Sequence, residues 1–82
     1  MNIMGILEEL NDLLAAKNKD YGEDNLVRNG QPGIIMRCND KLSRLEHIGN
    51  TAGEVGETRV QEWLDIAGYA IQAVRLIREE KI

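Results

Sequence analysis

Several features that mark particular classes of protein are scarce or missing in this sequence. Its single cysteine, Cys38, cannot form a disulfide within the chain, and nothing else in the sequence indicates an oxidising compartment. No run approaches the roughly 20 apolar residues of a membrane-spanning helix. The N-terminus lacks the basic segment and apolar run of a signal peptide. We therefore expect a cytoplasmic protein with no membrane partner.

Aromatic residues and positive charge are also in short supply. The sequence is 43% hydrophobic but only 4% aromatic, with no phenylalanine, so its core must be built from aliphatic side chains that suit helices. The net charge of −4 argues against binding to duplex DNA or RNA, which requires a basic face. A small phosphorylated ligand is still compatible with this charge, because it needs only a local cluster of cations.

Three segments have the apolar spacing of amphipathic helices, and no segment has the alternation of a strand. The first runs from about Ile3 to Asn18, the second from about Gly33 to Ile48, and the third from about Glu57 to Glu80. The sequence therefore predicts an all-α fold in a single helical domain that spans residues 1–82.

The expected helix boundaries follow from capping and loop residues. Pro32 stands where a helix can start, because its missing N–H costs nothing in the first turn. Thr58 and Gln61 have the spacing of a capping box at the start of the third helix. Residues 22–31 and 49–56 are rich in glycine and polar side chains, which predicts loops.

The third helix has an apolar face wider than one neighbouring helix needs. That face contains Val60, Trp63, Leu64, Ala67, Ile71 and Val74. A chain of 82 residues buries only about 60–65% of its unfolded surface, which makes a lone fold marginal. We expect a small bundle of about three helices completed by homo-oligomerisation. A lone three-helix bundle is the alternative.

A basic stripe follows the second helix. At about 100° per residue, Arg37, Lys41 and Arg44 fall within about 60° of one another at the border of the apolar face. Such a row of cations is suited to binding phosphate oxygens, and Arg can do so with two parallel hydrogen bonds. The ordinary alternative is a solvated helix face with salt bridges.

Acidic and aromatic side chains share one face of the third helix. Glu62 and Asp65 are three residues apart, so their carboxylates are neighbours that can share a Mg²⁺ ion. The alternative is that they neutralise Arg37 and Arg44 across a helix interface. Tyr69 lies one turn further on, where its ring can stack on a base or cover the core.

The order of these features is similar to that of a known family. The segments "KNKDYGEDN", "GIIMRCNDKLSRLEHI" and "ETRVQEWLDIAGYAI" resemble a phage and bacterial nucleotide-modification-associated family, which looks like a distant relative of the all-α MazG-like nucleotide pyrophosphohydrolases. The resemblance covers roughly residues 15 to 72, and its most specific pieces are a K-x-x-D-Y-G turn, an R-x-x-D-K-x-x-R run and a closing D-x-A-x-Y-A.

The resemblance implies an all-α fold and a phosphorylated nucleotide as ligand, and a phage-encoded member would act in the host cytoplasm. It points to a set of site residues: Lys17, Asp20, Tyr21, Arg37, Asp40, Lys41, Arg44, Glu57, Glu62, Asp65 and Tyr69. MazG-like enzymes usually hold Mg²⁺ with two acidic pairs. Only the pair Glu62 and Asp65 has a counterpart here, since Asp40 and Glu46 are six residues apart and point to different sides.

Three functional hypotheses follow. The first is a nucleotide-binding protein that needs no metal and performs no chemistry, for example an oligomeric sponge that counters bacterial defence by sequestering a cyclic signalling nucleotide. The second is a Mg²⁺-dependent nucleoside triphosphate pyrophosphohydrolase that uses Glu62 and Asp65 as metal ligands. The third is a helical module that docks another protein through its third helix. The incomplete acidic set favours the first.

Overall fold

A computed structural model of the chain describes residues 2–49 and 54–82, with the side chains of residues 20, 21 and 54–57 outside that description. It contains three helices, α1 (Ile3–Tyr21), α2 (Asp24–Ile48) and α3 (Glu54–Arg78), and no strand among the described residues. The predicted all-α fold of about three helices is thereby confirmed. None of the helices, over their described residues, is long and apolar enough to cross a membrane.

Helix α1 is longer than its sequence predicts. The side chain of Asn2 caps its start by accepting a hydrogen bond from the Gly5 N–H at 2.9 Å. The helix ends at Gly22, whose φ of 70° lies in the left-handed region and whose N–H donates to the Asn18 carbonyl at 3.1 Å. The predicted end at Asn18 and the predicted K-x-x-D-Y-G turn are wrong, because no residue before Gly22 interrupts the helix.

Helix α2 contains a break where the sequence predicts its start. Gly30 has non-helical dihedrals (φ 61°, ψ −157°), and Pro32 stands in the first turn after the break. The predicted loop over residues 22–31 is wrong in its middle, because Asp24 already begins a helical segment that reaches the break. The predicted end at Ile48 is confirmed, with Gly49 as the capping residue at a φ of 69°.

Helix α3 begins three residues earlier than predicted, at Glu54, and ends at Arg78 instead of Glu80. Thr58 therefore lies inside the helix with an exposed side chain, and the predicted capping box is wrong. Gly56 does not prevent this earlier start, because a glycine inside a helix costs only about 1 kcal/mol. Of the loop predicted over residues 49–56, residues 50–53 lie outside the described residues.

The three helices are arranged around α3. Helix α2 packs along most of α3, and α1 contacts α3 near Gly68, where a Cβ atom would lie 3.2 Å from the Leu14 side chain. The absence of a side chain at Gly68 thus allows this close approach. Among the described residues, the buried apolar side chains are few: Leu10, Ile34, Leu64 and Leu76.

Much of the apolar surface of α1 and α3 is exposed in the single chain. On α1, Ile3, Ile6 and Leu7 are exposed although they share a face with the buried Leu10. No described part of the chain covers this end of α1. Members of the wide apolar face of α3 are exposed in the same way, namely Val60, Trp63, Ile71 and Val74.

Candidate functional site

A groove of about 490 Å³ lies where the end of α1 and the first half of α2 meet the middle of α3. This volume falls within the range of about 300–1,000 Å³ that is typical of small-molecule sites. Leu14, Leu26 and Gly68 form the apolar part of its lining. Its polar lining comes from all three helices and consists of Lys17, Asn18, Asn25, Arg37, Asp65, Tyr69 and Gln72.

Two features that were predicted wrongly from the sequence help to build this groove: the last turn of α1 and the helical segment of α2 before Gly30. Because α1 continues through its last turn, Lys17 and Asn18 stand on a rigid element at one side. Because α2 bends at Gly30, Asn25 before the break and Arg37 after it both reach the same groove. The helix end and the helix break therefore supply two of the three walls.

The groove brings together only part of the predicted site. Lys17, Arg37 and Tyr69 line it, together with Asp65 from the predicted metal pair. Lys41 and Arg44 are not among the lining residues and lie further along α2. Asp20 and Tyr21 follow Lys17 on α1, but their side chains lie outside the described part of the chain, so their predicted roles stay predictions.

Five charged side chains form a cluster beside the groove, which we call the charge cluster: Lys17, Lys41, Arg44, Glu62 and Asp65. The Lys41 Nζ atom lies 2.9 Å from Asp65 Oδ2 and 3.5 Å from Glu62 Oε2. Lys17 Nζ lies 3.3 Å from Asp65 Oδ1, and Arg44 Nη1 lies 3.6 Å from Glu62 Oε1. The two carboxylates of α3 are thus neutralised by cations of α1 and α2.

The alternative to metal binding, neutralisation of Glu62 and Asp65 across the helix interface, is found for Arg44, but the second cation from α2 is Lys41 and not Arg37. The reason is the antiparallel register of α2 and α3. Arg44 faces Glu62 and Lys41 faces Asp65, so Arg37, one turn earlier on α2, comes level with Tyr69, one turn later on α3. This register directs Arg37 to the groove.

The charges of the cluster alter the acidity of two of its members. A hydrogen bond to Asp65 raises the pKa of the Lys41 ammonium above its ordinary value, and the nearby carboxylate charges add to this effect. Burial by itself would raise the pKa of Asp65. The hydrogen bonds and positive charges of Lys41 and Lys17 outweigh burial and lower that pKa below its ordinary value. Both groups are therefore held in their charged forms.

The donor set of the cluster fits a magnesium ion poorly in this arrangement. The Lys41 ammonium group lies within 3.5 Å of both Glu62 and Asp65, between the two carboxylates that would have to share the ion. Over the described parts of the chain, no group of three or more His, Cys, Asp and Glu side chains has a spacing that could hold a metal. The role of Glu62 and Asp65 as metal ligands stays a prediction.

At one end of the groove lies a hydrogen-bonded chain of side chains that was not predicted from the sequence. Gln72 is buried and donates to Asn18 Oδ1 at 3.1 Å, which ties α3 to α1. Arg75 donates to Gln72 Oε1 at 3.0 and 2.9 Å and to Glu23 Oε2 at 2.8 Å. Gln72 follows Asp65 and Tyr69 on the same face of α3 at helical spacing. That spacing was the sequence feature from which its place in the groove could have been predicted.

Comparison of the chain with protein-family models, curated proteins and solved structures found no match.

Proposed function

We propose that the chain binds a phosphorylated nucleotide in this groove without changing it chemically. The observation that carries the proposal is that Lys17, Arg37 and Tyr69, from three different helices, line one groove of about 490 Å³. Two cations and an aromatic ring are the side chains that recognise phosphate oxygens and a base, respectively.

Arg37 is the principal phosphate ligand in this proposal. Its side chain is exposed and makes no ion pair with any described residue, so its guanidinium is available for two parallel hydrogen bonds to a phosphate. Lys17 already contacts Asp65 at 3.3 Å, but its side chain is 51% exposed and an ammonium group has further N–H donors. The two cations stand on opposite helices, which suits a ligand held between them.

Tyr69 and the amide side chains of the groove would recognise the base. Tyr69 is half-buried on α3, so its ring is held by its surroundings and offers a face for stacking. Asn18 and Asn25 line the groove and can hydrogen-bond the edge of a base through their amide groups. These contacts suit linear and cyclic nucleotides alike.

Local charge also supports an anionic ligand, although the whole chain carries a net charge of −4. The charge cluster contains three cations and two carboxylates, which leaves one positive charge, and Arg37 beside it adds a second. A concentration of positive charge in a concave site raises the local concentration of an anion.

Binding without chemistry agrees with the state of the carboxylates. Glu62 and Asp65 pair with Lys17, Lys41 and Arg44, so neither carboxylate is free to activate water through a metal. We extend the proposal to a cytoplasmic homo-oligomer that sequesters its nucleotide.

The Mg²⁺-dependent pyrophosphohydrolase is the second candidate, and one observation favours it. Glu62 is buried, and its Oε2 atom has no hydrogen-bond partner among the described residues, although Lys41 Nζ lies 3.5 Å away. A buried oxygen of this kind is open to a metal if Lys41 withdraws. Formation of a nucleoside monophosphate that requires Mg²⁺ would support this candidate against simple binding.

The proposal is tested by titration calorimetry with nucleoside triphosphates and cyclic di- and trinucleotides in EDTA. We expect Arg37→Ala to weaken binding at least tenfold, which is about 1.4 kcal/mol, because it removes a charged hydrogen-bonding partner. The matched control is Arg28→Ala, which removes an exposed arginine of α2 that does not line the groove. Equal losses in both variants, or none in Arg37→Ala, would contradict the proposed site.

A further inference from the structure

Helix α3 has its polar and apolar faces in an unusual arrangement. The face turned toward α1, α2 and the groove buries Leu64 and Leu76, and it also contains Glu62, Asp65, Tyr69 and Gln72, all buried or half-buried. The opposite face is mostly apolar and open to solvent, with the exposed Arg78 at its C-terminal end. Exposed apolar patches of this kind commonly mark an interaction surface.

The open face has the spacing of a helix-pairing seam. Its residues follow one another at intervals of three and four, which is the heptad pattern by which two helices pack side by side. Its large members are 49–55% exposed in the single chain. We call this set the outer seam, and it consists of Val60, Trp63, Ala67, Ala70, Val74 and Ile77.

The outer seam is symmetric about its own centre. Two alanines, Ala67 and Ala70, occupy the middle, and large residues lie at equal distances on either side. If a second copy of α3 lay antiparallel across this centre, the alanines of the two copies would face each other in the middle. The large apolar side chains would then face each other toward the two ends. A surface that is complementary to itself in this way is what a two-fold dimer requires.

We propose that the outer seam is the interface of an antiparallel, two-fold homodimer of this chain. The layers would be Val60 against Ile77 of the second copy, Trp63 against its Val74, and Ala67 against its Ala70. This interface would form the homo-oligomer of the proposed function. The evidence for it is the apolar pattern of α3, so it does not depend on nucleotide binding.

The surface of α3 also offers a recess for the largest side chain of the seam. An open depression is lined by the apolar Ala70, Ile71 and Val74, with the charged Arg75, Arg78 and Glu79 at its other side. In the antiparallel arrangement, Trp63 of the second copy comes opposite Val74 and enters this depression. An aromatic side chain seated in a pocket is the usual energetic centre of a protein interface.

The exposed apolar area is sufficient for such a dimer. The four large seam residues and the neighbouring Ile71 are about half exposed, and together they supply roughly 400 Å² of apolar surface per chain. A standard interface buries about 800 Å² per partner, a little over half of it apolar. The groove faces the other side of α3, so each copy would keep an accessible site.

The mass in solution is the first test, measured by size-exclusion chromatography with light scattering at about 100 µM protein. We expect about twice the chain mass of 9.2 kDa for the unmodified protein. Val74→Glu should weaken the dimer at least tenfold and give the single-chain mass. The matched control Met36→Glu places the same charge on an exposed residue of α2 outside the seam, and it should remain dimeric. A monomeric unmodified protein, or a dimeric Val74→Glu, would overturn the proposal.

The orientation is tested by cross-linking in a Cys38→Ser background, so that only introduced cysteines react. Val60 and Ile77 are 17 positions apart, about 26 Å along the helix. A mixture of Val60→Cys and Ile77→Cys chains should cross-link to each other, while Val60→Cys alone should not. Cross-linking of Val60→Cys to itself would mean a parallel pair and overturn the antiparallel interface. Val74→Glu should keep its nucleotide affinity, which separates this proposal from the groove.

Discussion

Replacing Lys41 with methionine should destabilise the fold, because Lys41 is the shared partner of two poorly exposed carboxylates. Its side chain is 19% exposed and contacts Glu62 and Asp65, which are 9% and 13% exposed. Methionine keeps most of the aliphatic packing and removes only the charge. The variant therefore isolates the contribution of the ammonium group to the free energy of unfolding.

The size of the effect follows from what each carboxylate retains. Leaving a buried charge without a partner costs about 3–5 kcal/mol. Asp65 would keep Lys17 at 3.3 Å, and Glu62 would keep Arg44 at 3.6 Å, although that arginine is 62% exposed and its charge is screened by water. We therefore expect a loss of about 2 kcal/mol, equivalent to a fall of roughly 10 °C in Tm for a domain of this size.

Thermal and urea unfolding followed by circular dichroism measures this loss. The matched control is Lys19→Met, which removes an exposed lysine of α1 that makes no ion pair with a described residue. Adding Asp65→Asn to Lys41→Met should recover part of the stability, because it removes a poorly exposed charge whose remaining partner, Lys17, is 51% exposed. A Lys41→Met protein as stable as the original would refute the claim that the charge cluster stabilises this helix interface.

Three further predictions concern pH and backbone shape. The pKa of Asp65 is lowered from 3.8, so its contribution to the free energy of unfolding is present at neutral pH and is lost as the pH falls through the lowered value. In acid, the Asp65→Asn protein should therefore lose less stability with falling pH than the unmodified protein does, as measured by urea unfolding at a series of pH values. The pKa of Lys41 is raised from 10.5, so its contribution to the free energy of unfolding is present below that pH and is lost as the pH rises through the raised value. Above pH 10.5 the stability of Lys41→Met should therefore depend less on pH than that of the unmodified protein. Gly30→Ala should cost about 1–2 kcal/mol in urea unfolding, because φ is 61° there, whereas Gly5→Ala inside α1 should not destabilise.

Helical periodicity predicted the number of helices and the shared faces, because a 3.6-residue repeat determines which side chains point the same way. The end of α2 was predictable from Gly49 itself, because glycine readily adopts the positive φ with which a helix ends. Periodicity cannot show which face is covered by the same chain. Ile6 and Leu7 share a face with Leu10, yet only Leu10 lies where α1 contacts α3.

The site was predictable only in part, because its assembly depends on the register between helices. Arg37, Lys41 and Arg44 share one side of α2, and sequence spacing alone treats them alike. The antiparallel alignment with α3 separates them by directing Lys41 and Arg44 to carboxylates and Arg37 to the groove. Asn25 joins the groove through the break at Gly30, which no helical pattern could have indicated.

The most direct test of nucleotide binding without chemistry is a depletion and recovery measurement. The purified protein is mixed with nucleoside triphosphates and cyclic di- and trinucleotides, with Mg²⁺ and separately with EDTA, and the unbound fraction is analysed. Heat then removes the protein, and chromatography identifies the released nucleotides. We predict that one ligand is depleted in both conditions and recovered intact. No depletion of any nucleotide, or a monophosphate product that appears only with Mg²⁺, would contradict the account.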